Sequence, residues 1–335
     1  MPVAPNSAPE VLKPSYKIQI HGTTLDTEKE YPVKSIRVNQ GMAIPAHSCE
    51  IVFGLSDEMS EIEKGKEMTV EMGYEDSLVK VFEGLIDKNN PGISEIRVVA
   101  MSPAVKLLLS RSNRVFSEIS AGDIASILAG DLGLEASPSS GANLHAYYMD
   151  SSKNAYEHLR ELAVKSGFNF YMTSDNELFF GKDSDGGSHA LEYGVNIIQA
   201  DAHEDFQAAS SVMVVGETFE EHFMKEQYSA ENDEELEDVK EHLGEDVDAE
   251  FVVYDASIKN QETAEGMAKG LGENIKKTLS GTFKIIGDPE IKLGDVIQVS
   301  GMQHSKMNGD FQVRSVEHYI SKAAGFTTLV GWREK

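Results

Sequence analysis

Apolar and polar residues alternate with the period of a strand through most of the first hundred positions. Tyr16-Lys17-Ile18-Gln19-Ile20, Val33 to Val38 and Cys49-Glu50-Ile51-Val52-Phe53 follow this pattern, and Met68 to Met72, Val79 to Ile86 and Ile93 to Val99 continue it. Asn90-Pro91-Gly92 marks a turn between the last two. Six short strands at fairly regular spacing predict a barrel or sandwich over 15–102.

From Pro103 the period lengthens. Ile124, Ile127, Leu128 and Leu132 form a helical stripe on Gly122 to Leu132. Ala155, Leu159, Leu162 and Ala163 form another on Lys153 to Ser166, with Gly167 placed to cap it. Phe168 to Thr173 and Glu177 to Gly181 then predict a hairpin over Ser174-Asp175-Asn176. Residues 103–188 therefore read as an α/β module that ends in a polar linker, Asp183 to Ser188.

Strand texture resumes at Ile197 to Phe206 and Ser211 to Gly216, and again at Phe251 to Tyr254. A helix follows with Asn260 as its cap and Ala264, Met267, Ala268, Leu271 and Ile275 on one face; Lys276 and Lys277 suit its negative end. From Ser280 to Trp332 the strands are short and divided by turn chemistry. Gly287-Asp288-Pro289 stops one, Leu293-Gly294-Asp295 turns into the next, and Asn308-Gly309 is a hairpin signal. Phe326, Thr328, Val330 and Trp332 alternate, which predicts one buried and one wet face on the last strand. Short sheets with two open edges invite association, and a small closed barrel avoids them. The expected fold class is α+β, mainly β: two similar small β-barrels, 15–102 and 189–335, flanking the α/β module, after a flexible Pro-rich arm over 1–14.

Between the strands of the last third lies an unusual segment. Residues 217–250 hold fifteen Asp or Glu against Lys225 and Lys240, half of the net charge of −26. Leu236, Val239 and Leu243 are spaced for a short amphipathic helix, with Asn232 and Glu235 suited to its start and Gly244 to its end. Phe219 and Phe223 suit a strand before it. The segment reads as an insertion into the second barrel: a solvated loop, a channel lining or gate, or a dock for a basic partner.

The charge itself argues against binding nucleic acid through its phosphates. With 335 residues the chain is long enough for two or three domains, and no apolar run approaches a membrane span, so no membrane insertion is expected. The start, MPVAPNSAPEVLKPSYK, lacks a basic end followed by an apolar core, which predicts cytoplasmic synthesis without a signal peptide. A single cysteine, Cys49, excludes an intramolecular disulfide and a Cys-based zinc site.

Candidate chemistry is sparse. Gly270-Leu271-Gly272 lies inside a helical pattern rather than between a strand and a helix, so it does not read as a dinucleotide loop. His203-Glu204 lacks the second histidine of a zinc motif. His158 and Glu161 share a helix face and read as a surface pair, and His318 reads as a structural histidine on a strand. No G-x-S-x-G elbow occurs, and nothing singles out two of the many carboxylates as an acid and a base. No catalytic, cofactor-binding or metal-binding residue is assigned, and no cofactor is expected. A β-barrel cell-wall or cargo hydrolase is the alternative, without a nucleophile to support it.

The pattern G-x-P-x-I-x-x-G-D-x-I-x-V from Gly287, followed by N-G-x-F-x-V-x-x-V-x-H from Asn308 and a closing G-F-T-T-L strand, resembles the end of the phage late control protein D family. The stretch Phe82-Glu83-Gly84-Leu85-Ile86 and the strand and Leu107-Leu108 that follow resemble its first domain, and NAYEHLRELAVKSGFNFYMTSDNELFFGK resembles its middle. The likeness runs from about Ser15 to Trp332. These are baseplate hub proteins of contractile phage tails and related injection machines. The resemblance implies a homotrimer whose two barrels per subunit alternate round a pseudo-hexameric collar. The implied partners are a hexameric inner tube protein, a trimeric spike protein and other baseplate proteins, with the chain as a component of a tail or injection particle. The 217–250 segment departs from the pattern. The sequence ends soon after the second barrel, so the spike is expected to be a separate protein.

Overall fold

A computed structural model describes residues 12–20, 22–27, 33–182, 186–205, 209, 211–217, 223–229, 250–255, 258–259 and 261–335. The molecule is mainly β, with helices placed between strands. Its first part holds β1 (Pro14–Ile20), β2 (Thr23–Asp26), β3 (Val33–Gly41), β4 (Ser48–Phe53), the one-turn α1 (Asp57–Ser60), β5 (Glu67–Tyr74), β6 (Ser77–Pro91) and β7 (Ile96–Met101). Next come α2 (Val105–Leu109), β8 (Arg114–Ser120), α3 (Ala121–Asp131), β9 (Glu135–Ala136), β10 (Asn143–Met149), α4 (Ala155–Ser166), β11 (Asn169–Met172) and β12 (Glu177–Gly181). The remainder holds β13 (Ser188–Glu192), β14 (Ile197–Glu204), β15 (Ser211–Glu217), β16 (Phe223–Ser229), β17 (Glu250–Tyr254), α5 (Gln261–Lys276), β18 (Leu279–Ile286), β19 (Val296–Ser300), β20 (Gly309–Ser321) and β21 (Gly325–Glu334).

Thirteen of these strands form one sheet that spans both ends of the chain. In the first part the hydrogen-bonded order is β3-β4-β7-β6-β5-β1; in the last it is β14-β18-β21-β20-β19-β13. The two paths correspond strand for strand. Each long strand, β6 and β20, carries a bulge where it meets the following strand, between Ile86 and Lys88 in one and between Val313 and Ser315 in the other. They differ at the last step, since β1 runs antiparallel to β5 whereas β13 runs parallel to β19.

The second half of β20, Ser315 to Ser321, pairs with β3 and welds the two parts into one sheet. The closed barrels expected from the sequence are not seen among the described residues. No ladder joins β3 to β1, and a single bridge, Tyr193 to Ile197, links the ends of β13 and β14. The edge problem is met instead by joining the parts edge to edge.

Apolar residues on these strands bury two cores. Ile18, Ile36, Val38, Ile51, Phe53, Met68, Met72, Phe82, Ile86 and Val98 fill the first, and Ile320 and Phe326 from the end of β20 and the start of β21 reach into it. Phe283, Ile297, Phe311, Val313, Val330 and Trp332 fill the other. There the Trp332 ring lies 4.2 Å from Phe311 and 5.1 Å from Phe283, centre to centre. β21 does not have the wet face its alternation predicts. Thr327 and Gly331 are buried along with Phe326, Thr328, Val330 and Trp332, and Leu329 alone of that stretch is exposed.

The middle part forms where the sequence periodicity changes. Ser120 caps α3 by accepting the Asp123 N–H, and Asn154 and Glu157 form a reciprocal capping box on α4. Gly167 ends α4 in the left-handed region, at φ 62°, which favours glycine. Ile124, Leu128, Leu159, Leu162, Phe170 and Phe180 build a core of their own.

β15, β16, β17 and α5 stand apart from the large sheet. β15 sits between β16, antiparallel, and β17, parallel, in a separate three-stranded sheet. Val212 and Val214 on this sheet pack with Ile258 and with Ala264, Met267 and Ala268 on α5. The predicted strand around Phe223 is present as β16; Phe219, the helix expected around Leu236 to Leu243 and the cap at Asn260 lie outside the described residues. Asn308-Gly309 is not a two-residue hairpin. β19 and β20 pair across a longer loop that contains a 3-10 turn, Ser305–Met307, and Asn308 closes it by accepting from Met302 N–H and donating to the Met302 and His304 carbonyls.

Candidate interaction surface

The polar residues that stood out in the sequence are scattered and mostly occupied with structure. His158 is buried rather than at the surface: its Nδ1 lies 2.9 Å from Tyr147 Oη and its Nε2 3.0 Å from the Asp150 carbonyl oxygen. Helical spacing puts His158 on the face that also carries Leu159 and Leu162, a choice that spacing from Glu161 alone does not reveal. Glu161 instead meets Lys153 at 2.6 Å and Lys165 at 3.3 Å. His318 is buried on β20 with its Nδ1 3.0 Å from Thr328 Oγ1, and burial pushes its pKa down to about 4. His203 lies on exposed β14, 2.9 Å from Ser280 Oγ. Cys49 is fully buried and burial raises its thiol pKa. Among the described residues, no group of three or more His, Cys, Asp or Glu could hold a metal ion.

The Gly270-Leu271-Gly272 stretch serves packing. A Cβ on Gly270 would come within 2.3 Å of the Gly167 Cα, so α4 and α5 touch backbone to backbone at this point.

A denser polar cluster was not singled out in the sequence. Asp295, in the Leu293-Gly294-Asp295 turn, accepts from Gly187 N–H at 2.7 Å, Lys292 N–H at 2.8 Å and His189 Nε2 at 2.9 Å. Val296 N–H in turn donates to the Gly187 carbonyl. The turn thereby latches the start of β13, where the chain leaves the middle part, against the sheet. Hydrogen bonding to Asp295 raises the His189 pKa against its burial, with Asp288 and Glu290 adding to the rise. For Asp295, burial pushes upward but is outweighed by the bonds from His189, Lys292 and Gly187, and its carboxyl is held below the usual range. The signal in the sequence was the Gly-Asp pair after a turn, which by itself reads only as a turn.

The surface has two prominent exposed features. β14 forms a ladder to β18 and, apart from the Tyr193–Ile197 bridge at its start, pairs with no other strand among the described residues; most of it is exposed. A bulge lies between Ile197 and Gln199; Ile197 and Ala200 face the core beside Ile285 and Phe283, and Gln199, Asp201 and His203 alternate away from it. Ile198 is 55% exposed. The other feature is the tip of the β6–β7 hairpin, where Ile93 is 99% exposed and Lys88, Asn90 and Pro91 leading up to it are exposed as well.

The whole chain matches known tail-protein structures. It superposes on a 43 kDa tail protein of prophage MuSo2 from Shewanella oneidensis with a TM-score of 0.74 at 13% identity, covering 96% of this chain and 98% of that one. A tail protein from Neisseria meningitidis MC58 gives 0.73 at 14% identity, with 96% and 97% covered. The E. coli c3393 protein gives 0.61 at 10% identity, with 94% and 76% covered; it is described as a component of the type VI secretion system with structural similarity to the T4 bacteriophage tail proteins gp27 and gp5. The fold is thus one shared by phage tail proteins and a type VI secretion component. By sequence the chain belongs to the Alg8 N-terminal domain family, whose model matches residues 11–322. No curated protein matches it in sequence.

Proposed function

We propose that the chain is a structural baseplate hub of a contractile tail or injection machine, of the late control protein D kind. In this reading three copies form a collar in which 15–102 and 189–335 act as two like domains per copy, with 103–188 beside them. The collar offers six similar faces to the ring of the inner tube and stays three-fold towards a spike protein. The observation that carries it is the repetition of one six-strand path within a single chain, β3-β4-β7-β6-β5-β1 and β14-β18-β21-β20-β19-β13. A repeated unit in one polypeptide lets a trimer meet a hexamer, and a closed ring avoids the open-ended growth of a head-to-tail contact.

Support also comes from the fold shared with tail proteins, and from two similar structures of PdpA–VgrG complexes, one of them from Francisella. The chain has no catalytic role in this proposal and works as a rigid adaptor that passes the push of contraction to the spike. Its place is in the particle. The test is co-expression with the tube and spike proteins of the same gene cluster, followed by imaging of the assembled particle. A trimeric ring of this chain between tube and spike is the expected result; a position elsewhere in the particle, or a ring of any other order, overturns the proposal.

A further inference from the structure

A cavity of about 300 Å³ lies where the end of α4 and the chain leading into β11 meet α5. Its wall holds Gly141, Gly167, Gly266 and Gly270, so much of it is bare backbone. A Cβ at Gly266 would meet nothing within 4 Å, which leaves the space beside this turn of α5 open. The charges of the wall run against those of the chain. Among the described residues its ionisable members are Lys165, Lys182, Lys269 and Glu273, three cations to one anion, whereas the whole chain has 30 Lys and Arg to 56 Asp and Glu. Lys165 is buried and already held by Asp255 at 3.1 Å and Glu161 at 3.3 Å, neither of which lines the cavity. Lys269 lies 3.9 Å from Glu273, one turn further along α5, with more than half of each side chain exposed, a pair that contributes little. Lys182 is exposed just after β12 and makes no ion pair among the described residues.

We infer that this cavity is an anion site that takes a compact group with two or more negative charges, a phosphate or a cluster of carboxylates, between Lys182 and Lys269. Such a site does not depend on the hub reading. The local balance of charge favours it. Lys153 and Lys165 offset Glu161 and Asp255, to which they are paired, and this leaves Lys182 and Lys269 against Glu273. The net charge of −26 does not cancel that excess, because at physiological salt it is screened beyond about 8 Å. Glu273 also sets the valence. A singly charged anion would compete with that carboxylate for Lys269 alone, whereas a group with two charges engages Lys182 at the same time. Lys182 belongs to the middle part and Lys269 to α5, so a bound anion ties the two together beside the Gly167–Gly270 crossing.

Acetylation of the lysines of the full chain, read residue by residue by mass spectrometry, tests this. Pyrophosphate and citrate are the probes, and sodium chloride at equal ionic strength is the reference. With a probe in several-fold excess over its dissociation constant, Lys182 and Lys269 should react at least about threefold more slowly. Lys13 and Lys64, whose side chains are 73% and 74% exposed elsewhere on the surface, should keep their rates. Protection by pyrophosphate alone assigns a phosphate ligand, and by citrate alone a carboxylate one. The double variant Lys182→Gln/Lys269→Gln should weaken binding of the probe, measured by calorimetry, at least about tenfold, with the fold kept because both side chains are exposed. Gly266→Leu keeps both lysines but puts a side chain into the cavity, and should abolish the protection. Slowing shared by all exposed lysines means an adventitious ion only and overturns the site, as does protection that survives Gly266→Leu, or no protection at all.

Discussion

At the scale of single residues the sharpest feature is Asp295, which binds the backbone of its own turn, the backbone at Gly187 and the His189 ring together. Its effect on stability is pH-dependent in a definite direction. The folded pKa of His189 is raised, so its contribution is complete below its ordinary value of 6.5 and is lost as pH rises through the raised value. The folded pKa of Asp295 is lowered, so its contribution is complete above its ordinary value of 3.8 and is lost as pH falls through the lowered value. The latch is therefore strongest between those two ordinary values. Among the described residues, the charged groups acting on His189 are Asp295, Asp288 and Glu290, all acidic, and each favours its protonation. Comparing His189→Gln with the native chain cancels the histidines buried elsewhere, such as His47 and His318. The difference in melting temperature should be largest near pH 5 and should shrink above pH 7. A difference that is flat with pH, or that grows towards alkaline pH, would show that the ring acts by packing alone.

At the scale of elements, most of the strands and helices were legible from period and punctuation. α4 is the clearest: Gly167 marks its end, and its stripe of Ala155, Leu159 and Leu162 is buried as its spacing requires, while the capping box of Asn154 and Glu157 at its start was not read. What could not be read was which edge each strand would find. The alternation on β21 is real, but the sequence of one strand does not tell that Thr327 and Gly331 are buried too. β15 and β17 have the texture of sheet strands, and nothing in them indicates that they leave the large sheet for one of their own. Nor does the Gly270 pattern distinguish a cofactor loop from a close helix crossing without the partner Gly167 in view.

The crossing gives a paired test. Gly266 and Gly270 are both inside α5, but a Cβ at Gly266 meets nothing within 4 Å, whereas one at Gly270 strikes backbone. Gly266→Ala should stabilise the protein by about 0.5–1 kcal/mol through helix propensity. Gly270→Ala should destabilise it by about 1–3 kcal/mol by forcing α4 and α5 apart. Chemical denaturation of the two variants checks this, and equal effects of one sign would mean that the helices do not meet at these glycines.

At the scale of the whole molecule, the acidic segment divides into a part inside the fold and a part that can be tested as separable. β16, Phe223–Ser229, lies within the acidic stretch yet pairs along β15 and packs near α5. Removing everything from Thr218 to Asp248 would strip β15 of its antiparallel neighbour and expose its edge. A cut confined to Glu231–Asp248 keeps all three strands of that sheet. Replacing those residues with a short Gly/Ser linker changes loop-closure entropy only logarithmically, so cooperative unfolding should survive with little change in midpoint. The longer cut should lower stability by more, because it removes a paired strand. The charge has a separate readout. Glu231–Asp248 carries much of the excess of carboxylates over Lys225 and Lys240 in this segment, and its field reaches only about 8 Å at physiological salt. A variant with the short cut that folds and still enters particles, but fails to load or release cargo, assigns the segment to the channel or to a basic partner. If that variant folds and works as the native chain does, the segment is a solvated loop. If it does not fold, the Leu236, Val239 and Leu243 stripe belongs to a core, and the segment is not separable at all.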